Sequence, residues 1–167
     1  RVENPRGNET FPGDRYTPIY DQDGSKVFFN KKAAQRYFLT HKVLSYETTE
    51  EFEKQFFDPG FDPTSTVLIQ NAPKELLKLS QAKEKEIKLI SYEPTRVVFQ
   101  TTTSHPQLLF LSDTDAPGWK AFIDHKEVPV YRAQYAFRAV LVGEGTRTVE
   151  FVYQPQSFTV GLNIAKG

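Results

Sequence analysis

The chain has 167 residues, with 21 Lys plus Arg balanced by 21 Asp plus Glu, and it contains neither cysteine nor methionine. That length suits one domain of ordinary size, and the even charge leaves no basic excess to neutralise phosphates, which excludes a general nucleic-acid binder. The missing thiols exclude disulfides and thiolate metal sites.

Without a methionine, the chain reads as a fragment of a longer protein. Its longest apolar run, Leu108–Leu111, is far short of the ~20 residues a membrane helix needs. The N-terminus lacks the layout of a signal peptide, so any membrane anchor is expected outside these residues. The 14 Phe, 8 Tyr and single Trp are enough to build a core, because each such ring buries ~150–250 Å².

In chain order, residues 1–25 are rich in Pro, Gly, Asn and Asp and read as an irregular N-terminal arm with turns. Residues 26–167 read as one β-sandwich domain. Lys26–Asn30 and Arg36–Tyr46 have the aromatic and β-branched content of strands. Thr49–Phe57 is the one helix, with Thr49 as N-cap and Phe52 and Phe56 four apart on one face. Asp58-Pro59 ends it, since proline cannot continue the hydrogen-bond ladder. Thr66–Gln70 is a short buried strand, and Pro73–Lys85 is mixed and Lys-rich, read as one helical turn or a mobile loop with its charges on a solvated face.

From Glu86 onward short strands follow one another. They are expected at Glu86–Tyr92, Thr95–Thr102, Gln107–Ser112, Trp119–Asp124, Val128–Ala133, Tyr135–Val142, Thr146–Tyr153 and Phe158–Ala165. Turn residues such as Glu93-Pro94, Ala116-Pro117-Gly118 and Gly143-Glu144-Gly145 separate them. Regular short strands with turn signals and no βαβ alternation predict a mainly β fold, an antiparallel, jelly-roll-like sandwich with one short α-helix.

Alternation places Trp119, Ala121 and Ile123 on one side of their strand and Lys120, Phe122 and Asp124 on the other. Trp119 therefore reads first as a core or sheet-end plug, and second as a half-exposed platform. Pro129 cannot donate to a ladder, so the returning strand is expected at a sheet edge.

Five runs in this region carry a family resemblance: Pro117–Asp124 (PGWKAFID), Val130–Ala133, Tyr135–Val140, Val149–Pro155 and Ser157–Gly161. Together with Asn30, Ala33 and Arg36–Leu39 upstream, they resemble the C-terminal extracytoplasmic domain of the bacterial YfhO membrane-protein family. The likeness is ordered from Leu108 to Ile164, thin between Tyr46 and Glu86, and absent before Val27. Where the family carries Asp-Gly after the Trp strand, this chain has Asp124-His125. Histidine accepts positive φ less readily than glycine, which leaves the turn type open but keeps the hairpin.

The resemblance implies a polytopic membrane protein similar to lipid-linked-sugar-dependent glycosyltransferases of the GT-C type. In such proteins the chemistry belongs to acidic residues in loops of the membrane part. This fragment would then be a non-catalytic domain outside the bacterial cytoplasmic membrane, anchored by spans it lacks. It would brace those spans or hold a cell-wall glycan acceptor. Its expected partners are the membrane-spanning part of the same parent chain, a cell-wall glycan or teichoic acid, and no nucleic acid.

Residue chemistry leaves two other classes open. A free-standing carbohydrate-binding module would use Trp119, Tyr131 and Tyr135 with Asp124, Arg132 and Arg138, given that neighbouring strands pair, since sugars dock on aromatic faces with polar groups at the rim. The competing structural fate pairs Arg138 with Glu150 across the next hairpin. A small hydrolase would need two carboxylates ~5–9.5 Å apart, for which Asp113, Asp115 and Asp124 are the candidates, although Asp is also ordinary turn chemistry. His41, His105 and His125 lack metal-ligand spacing, and no Gly-x-Ser-x-Gly or phosphate loop occurs. No catalytic residue, metal or cofactor is assigned.

Overall fold

The computed structural model describes residues 11, 13–31 and 33–155; the strand expected at Phe158–Ala165 lies outside them. The chain divides into two compact units at Ala34/Gln35. In the first, β1 (Tyr16–Gln22) and β2 (Ser25–Asn30) form an antiparallel hairpin. Reading this stretch as an irregular arm is corrected over Tyr16–Gln22. Asp23-Gly24, both at positive φ (53° and 75°), supply the left-handed pair that a tight two-residue hairpin turn requires. The register shifts between Pro18 and Tyr20, a bulge that tolerates the proline's missing donor. Phe11 stacks on Phe28 at 4.3 Å and meets Tyr16 edge-on at 5.3 Å.

The second unit is the expected mainly β sandwich with one short helix. It contains β3 (Tyr37–Thr40), β4 (Lys42–Tyr46), α1 (Thr49–Phe56), β5 (Thr66–Gln70), β6 (Lys85–Glu93), β7 (Arg96–Thr103) and β8 (Gln107–Leu111). Then follow β9 (Trp119–Ile123), β10 (Lys126–Val128), β11 (Tyr131–Ala133), β12 (Phe137–Val142) and β13 (Gly145–Tyr153). One sheet has the order β10-β9-β13-β7-β6, the other β3-β8-β12-β11-β5-β4. All pairs are antiparallel except β4 with β5, which α1 joins as the crossover a parallel pair needs.

Two runs read as single strands are each broken in two. Arg36–Tyr46 breaks at His41, and its halves form the opposite edges of the six-stranded sheet. Only one residue separates those edges along the chain, so the sheet must curl. The Thr40 hydroxyl marks the break, donating to the Ser65 carbonyl at 2.5 Å and accepting the Lys42 amide at 3.0 Å. Val128–Ala133 breaks at Pro129-Val130, and β10 and β11 join different sheets. As expected from the proline, β10 lies at an edge.

The curl creates two cores. Leu39, Leu109, Leu111, Val140 and Val142 from the six-stranded sheet meet Val97, Phe99, Ala121, Val149 and Phe151 from the five-stranded one. The six-stranded sheet's other face closes over Phe38, Val43, Val67, Ile69, Leu108, Phe110, Ala133 and Ala139, plugged by Leu76 from a short 3₁₀ turn. Strand β8 is consequently buried along its whole length, which is why it reads as an unbroken apolar run rather than an alternating one.

Candidate functional site

Arg138 is the largest fully buried side chain, 1% exposed. Register explains its surroundings: Arg138 pairs with Leu111 across β12 and β8, which brings it beside the loop that follows β8. There its guanidinium donates to Asp113 Oδ2 at 3.3 Å and to the Thr114 carbonyl at 3.2 Å. Its flat face lies 3.7 Å from the centroid of Trp119 and 5.5 Å from that of Phe151. Burial pulls the Arg138 pKa down, opposed by the carboxylates of Asp113 and Asp115.

Asp113 is the hub. Its Oδ1 accepts from Arg36 Nε at 2.9 Å and pairs with Arg36 Nη2 at 2.8 Å. Its Oδ2 accepts the Tyr92 hydroxyl at 2.9 Å. Arg36 also donates to the Tyr92 oxygen and stacks over that ring, 4.2 Å from its centroid. The hydrogen bond to Asp113 is the main cause of the raised Arg36 pKa. The pattern is symmetrical: one carboxylate, two guanidiniums, and a ring beneath each guanidinium. Arg36, Asp113 and Arg138 belong to the six-stranded sheet and its loops, while Tyr92 and Trp119 belong to the five-stranded sheet, so the network ties the two layers together at their rim. The buried Arg138–Trp119 contact is of the desolvated kind that contributes about 2 kcal/mol, and the more exposed Arg36–Tyr92 contact of the kind that contributes about 0.5–1 kcal/mol.

An open depression of about 380 Å³ lies over this network, lined also by Ser112 and Thr114. Trp119 is half-buried in its wall and packs on the inter-sheet core, with Tyr153 tilted against it at 5.4 Å. Alternation had placed Trp119 on the same side as Ala121 and Ile123, and the core contains that side. Gly118, at φ 106°, lets the chain turn into β9 and pass Pro155 and Tyr153 closely.

The six residues expected to gather around a glycan engage three separate sets of partners. Trp119 and Arg138 meet in the network above. Asp124 sits at the β9–β10 turn, where its carboxylate accepts the Thr148 amide at 2.9 Å and Arg147 Nη1 at 3.1 Å. Those contacts, the amide first, hold its pKa below the ordinary value. Asp124 and His125 both adopt positive φ (48° and 68°), so the hairpin keeps its left-handed turn without glycine. Arg132 and Tyr135 form the third set: Arg132 Nε donates to the Tyr135 carbonyl at 2.5 Å, and its guanidinium lies 5.2 Å from that ring. Tyr131, in the same strand as Arg132, packs on the second core.

The expected Arg138–Glu150 pair does not form. Strands β12 and β13 belong to different sheets, and Glu150 instead pairs with Arg96 at 2.7 Å. Among the described residues no group of three or more His, Asp or Glu could hold a metal ion. Burial, opposed by Arg138 and Arg132, raises the Asp115 pKa. Sequence reading missed Arg36 and Tyr92 as partners; Arg36 was visible only through the Arg36–Leu39 likeness, and Tyr92 left no signal.

Fold and site together define a two-layer β domain whose rim is fastened by paired charges and rings. The chain belongs to the YfhO family, described as bacterial membrane protein YfhO, which it matches over residues 67–165. It is also 24% identical over 187 aligned positions to "Uncharacterized protein YfhO" of Bacillus subtilis (strain 168), an alignment covering 98% of this chain. The chain spans 21% of that relative's length. No solved structure matches it. Among the described residues no helix is long and apolar enough to cross a membrane.

Proposed function

We propose that this chain is a non-catalytic, extracytoplasmic domain of a YfhO-like polytopic membrane glycosyltransferase, and that it braces the membrane-spanning part of its parent. Membership in a bacterial membrane-protein family, across a fifth of a longer relative, supports that setting. The observation that carries the non-catalytic reading is the state of the carboxylates. Both oxygens of Asp113 are taken by guanidinium and phenol donors, and both oxygens of Asp124 by an amide and an arginine. That leaves Asp115 alone of the three candidates, one short of the carboxylate pair that glycoside hydrolysis uses. A general acid or nucleophile needs an oxygen free to meet substrate.

Because this chain has no cysteine, one introduced thiol reports its side of the membrane. Glu144→Cys, at an exposed connection, would be placed in the full-length parent with any other cysteines replaced. The expected result is labelling by a membrane-impermeant maleimide in intact cells. Labelling only after permeabilisation rejects the extracytoplasmic assignment.

One observation favours a second reading, in which the domain holds a glycan acceptor: the half-buried Trp119 lines an open depression with two arginines and three hydroxyls. Titration with teichoic-acid or peptidoglycan fragments, followed by Trp119 emission, tests it. A flat response leaves bracing alone, since Arg138 already occupies a face of the indole.

A further inference from the structure

Helix α1 is well specified yet fully buries none of its residues. Thr48 caps it, accepting the Glu51 amide at 3.2 Å, while Glu51 Oε2 accepts the Glu47 amide at 2.8 Å. Its apolar positions fall on one stripe, but none of its residues is buried. An amphipathic helix draws most of its stability from packing that stripe, and here Phe52 and Phe56 are covered only in part.

The stripe belongs to a chain of rings that runs outward from the core. Tyr46, 2% exposed, meets Phe52 at 5.2 Å. Phe52 meets Phe56 at 5.1 Å and Tyr135 at 5.6 Å. Phe56 continues to Phe57 at 5.4 Å and Phe61 at 5.5 Å. Phe57 ends the series 75% exposed, and Tyr135 and Leu44 are exposed as well. Between α1 and the edge strand β4 runs a groove of about 670 Å³, in which Leu44 and Phe61 stand among polar side chains such as Lys42, Glu51, Lys54 and Gln55. It is larger than the depression beside Trp119.

We infer that this face, from Leu44 across Phe57 and Phe61 to Tyr135, is the surface on which the domain docks against the membrane-spanning remainder of its own parent chain. The inference rests on the bracing reading and gives it a location. Two facts choose the occupant. The chain covers only 21% of the length of a relative in a membrane-protein family, so most of such a parent lies outside these residues and is tethered to this domain by a covalent link, which raises its effective concentration. Charge then selects protein over bare lipid. Residues 49–62 carry Glu50, Glu51, Glu53, Asp58 and Asp62 against Lys54, and with Lys42 of the groove counted the rim stays net acidic, which repels an anionic leaflet. It suits an apolar segment flanked by Lys or Arg in a loop of the membrane part.

The test uses the full-length protein in membranes, with p-benzoylphenylalanine replacing Phe57 in one version and exposed Gln100, on the other sheet, in a second. Two copies of different size, one light and one made heavy by a fused protein tag, are co-expressed, irradiated, and separated by size before digestion for mass spectrometry. Adducts from position 57 to peptides of the same copy outside this domain, with none from position 100, are expected. Adducts to lipid, adducts joining light and heavy copies, or no adduct at position 57 would each overturn the proposal. Thiol labelling at position 144 reads membrane side independently, so a wrong docking face and a wrong compartment give different results.

Discussion

At the residue scale the rim network carries the largest single cost. Removing one partner of a buried pair leaves an uncompensated charge, typically at about 3–5 kcal/mol. Asp113→Ala, which strands the fully buried Arg138, is expected to lower urea-unfolding stability by about 3 kcal/mol. Arg138→Met should cost less, because Arg36 and Tyr92 keep Asp113 paired. Equal losses would show that Asp113 stabilises mainly through Arg138 rather than Arg36. Gly118→Ala is a purely steric probe: at φ 106° a new Cβ would meet Pro155 Cα at 3.0 Å and the Tyr153 ring at 3.1 Å. Backbone strain there amounts to about 1–3 kcal/mol, so a midpoint shift of that size is expected. Two carboxylates give opposite pH signatures. Asp115 has a raised folded pKa, so its stabilising contribution is complete in acid and is lost as pH rises through that value. Asp115→Asn should therefore stabilise at neutral pH and be neutral in strong acid. Asp124 has a depressed folded pKa; its contribution is present above the ordinary carboxylate value and is lost as pH falls through the folded one. Asp124→Asn should weaken the fold at neutral pH, and the loss should vanish in strong acid. Denaturation at the two pH extremes reads both signs. Alternation alone oriented Trp119, but the Arg138 partner was hidden because it depends on the β8–β12 register, which brings residues 113 and 138 together.

At the element scale, legibility followed the presence of a local stop signal. The α1 termination at Asp58-Pro59, the β9–β10 hairpin and the edge position of β10 were all readable from turn chemistry. The break at His41 was not, since neither proline nor glycine stands there. What ends the strand is the Thr40 hydroxyl, bonded to a carbonyl 25 residues away. The β1–β2 hairpin was missed for the opposite reason: proline and glycine density masked Asp23-Gly24, itself a strong hairpin signal. The helix N-cap shifted by one residue, from Thr49 to Thr48, because the Thr48…Glu51 spacing is the one that satisfies the first-turn amides. Thr48→Ala should cost about 1 kcal/mol and accelerate amide exchange within Thr49–Phe56, leaving the β8 amides unchanged. Equal acceleration in both would mean that α1 unfolds only with the whole sandwich.

At the scale of the whole molecule, strand density foretold two packed sheets, but not which strand joins which, because that assignment rests on contacts remote in sequence. Three pairings decide it: β3 with β8, β13 with β7, and β4 with β5. The resulting layout predicts an uneven distribution of stability. Strand β8 is paired on both edges, by β3 and β12, and buried on both faces, one in each core. Its amides can exchange only when both cores open, so Leu109 and Phe110 should report the global unfolding free energy, about 5–15 kcal/mol for a domain of this kind. Strand β10 has one partner, three residues and a single half-buried side chain. Its amides should exchange through local opening with little denaturant dependence. Native-state hydrogen exchange across a urea series separates the two regimes. If Leu109 exchanged as readily as Glu127, the curled sheet would not be the stable centre of the sandwich, and a rim network tying it to the second layer would have no rigid body to hold.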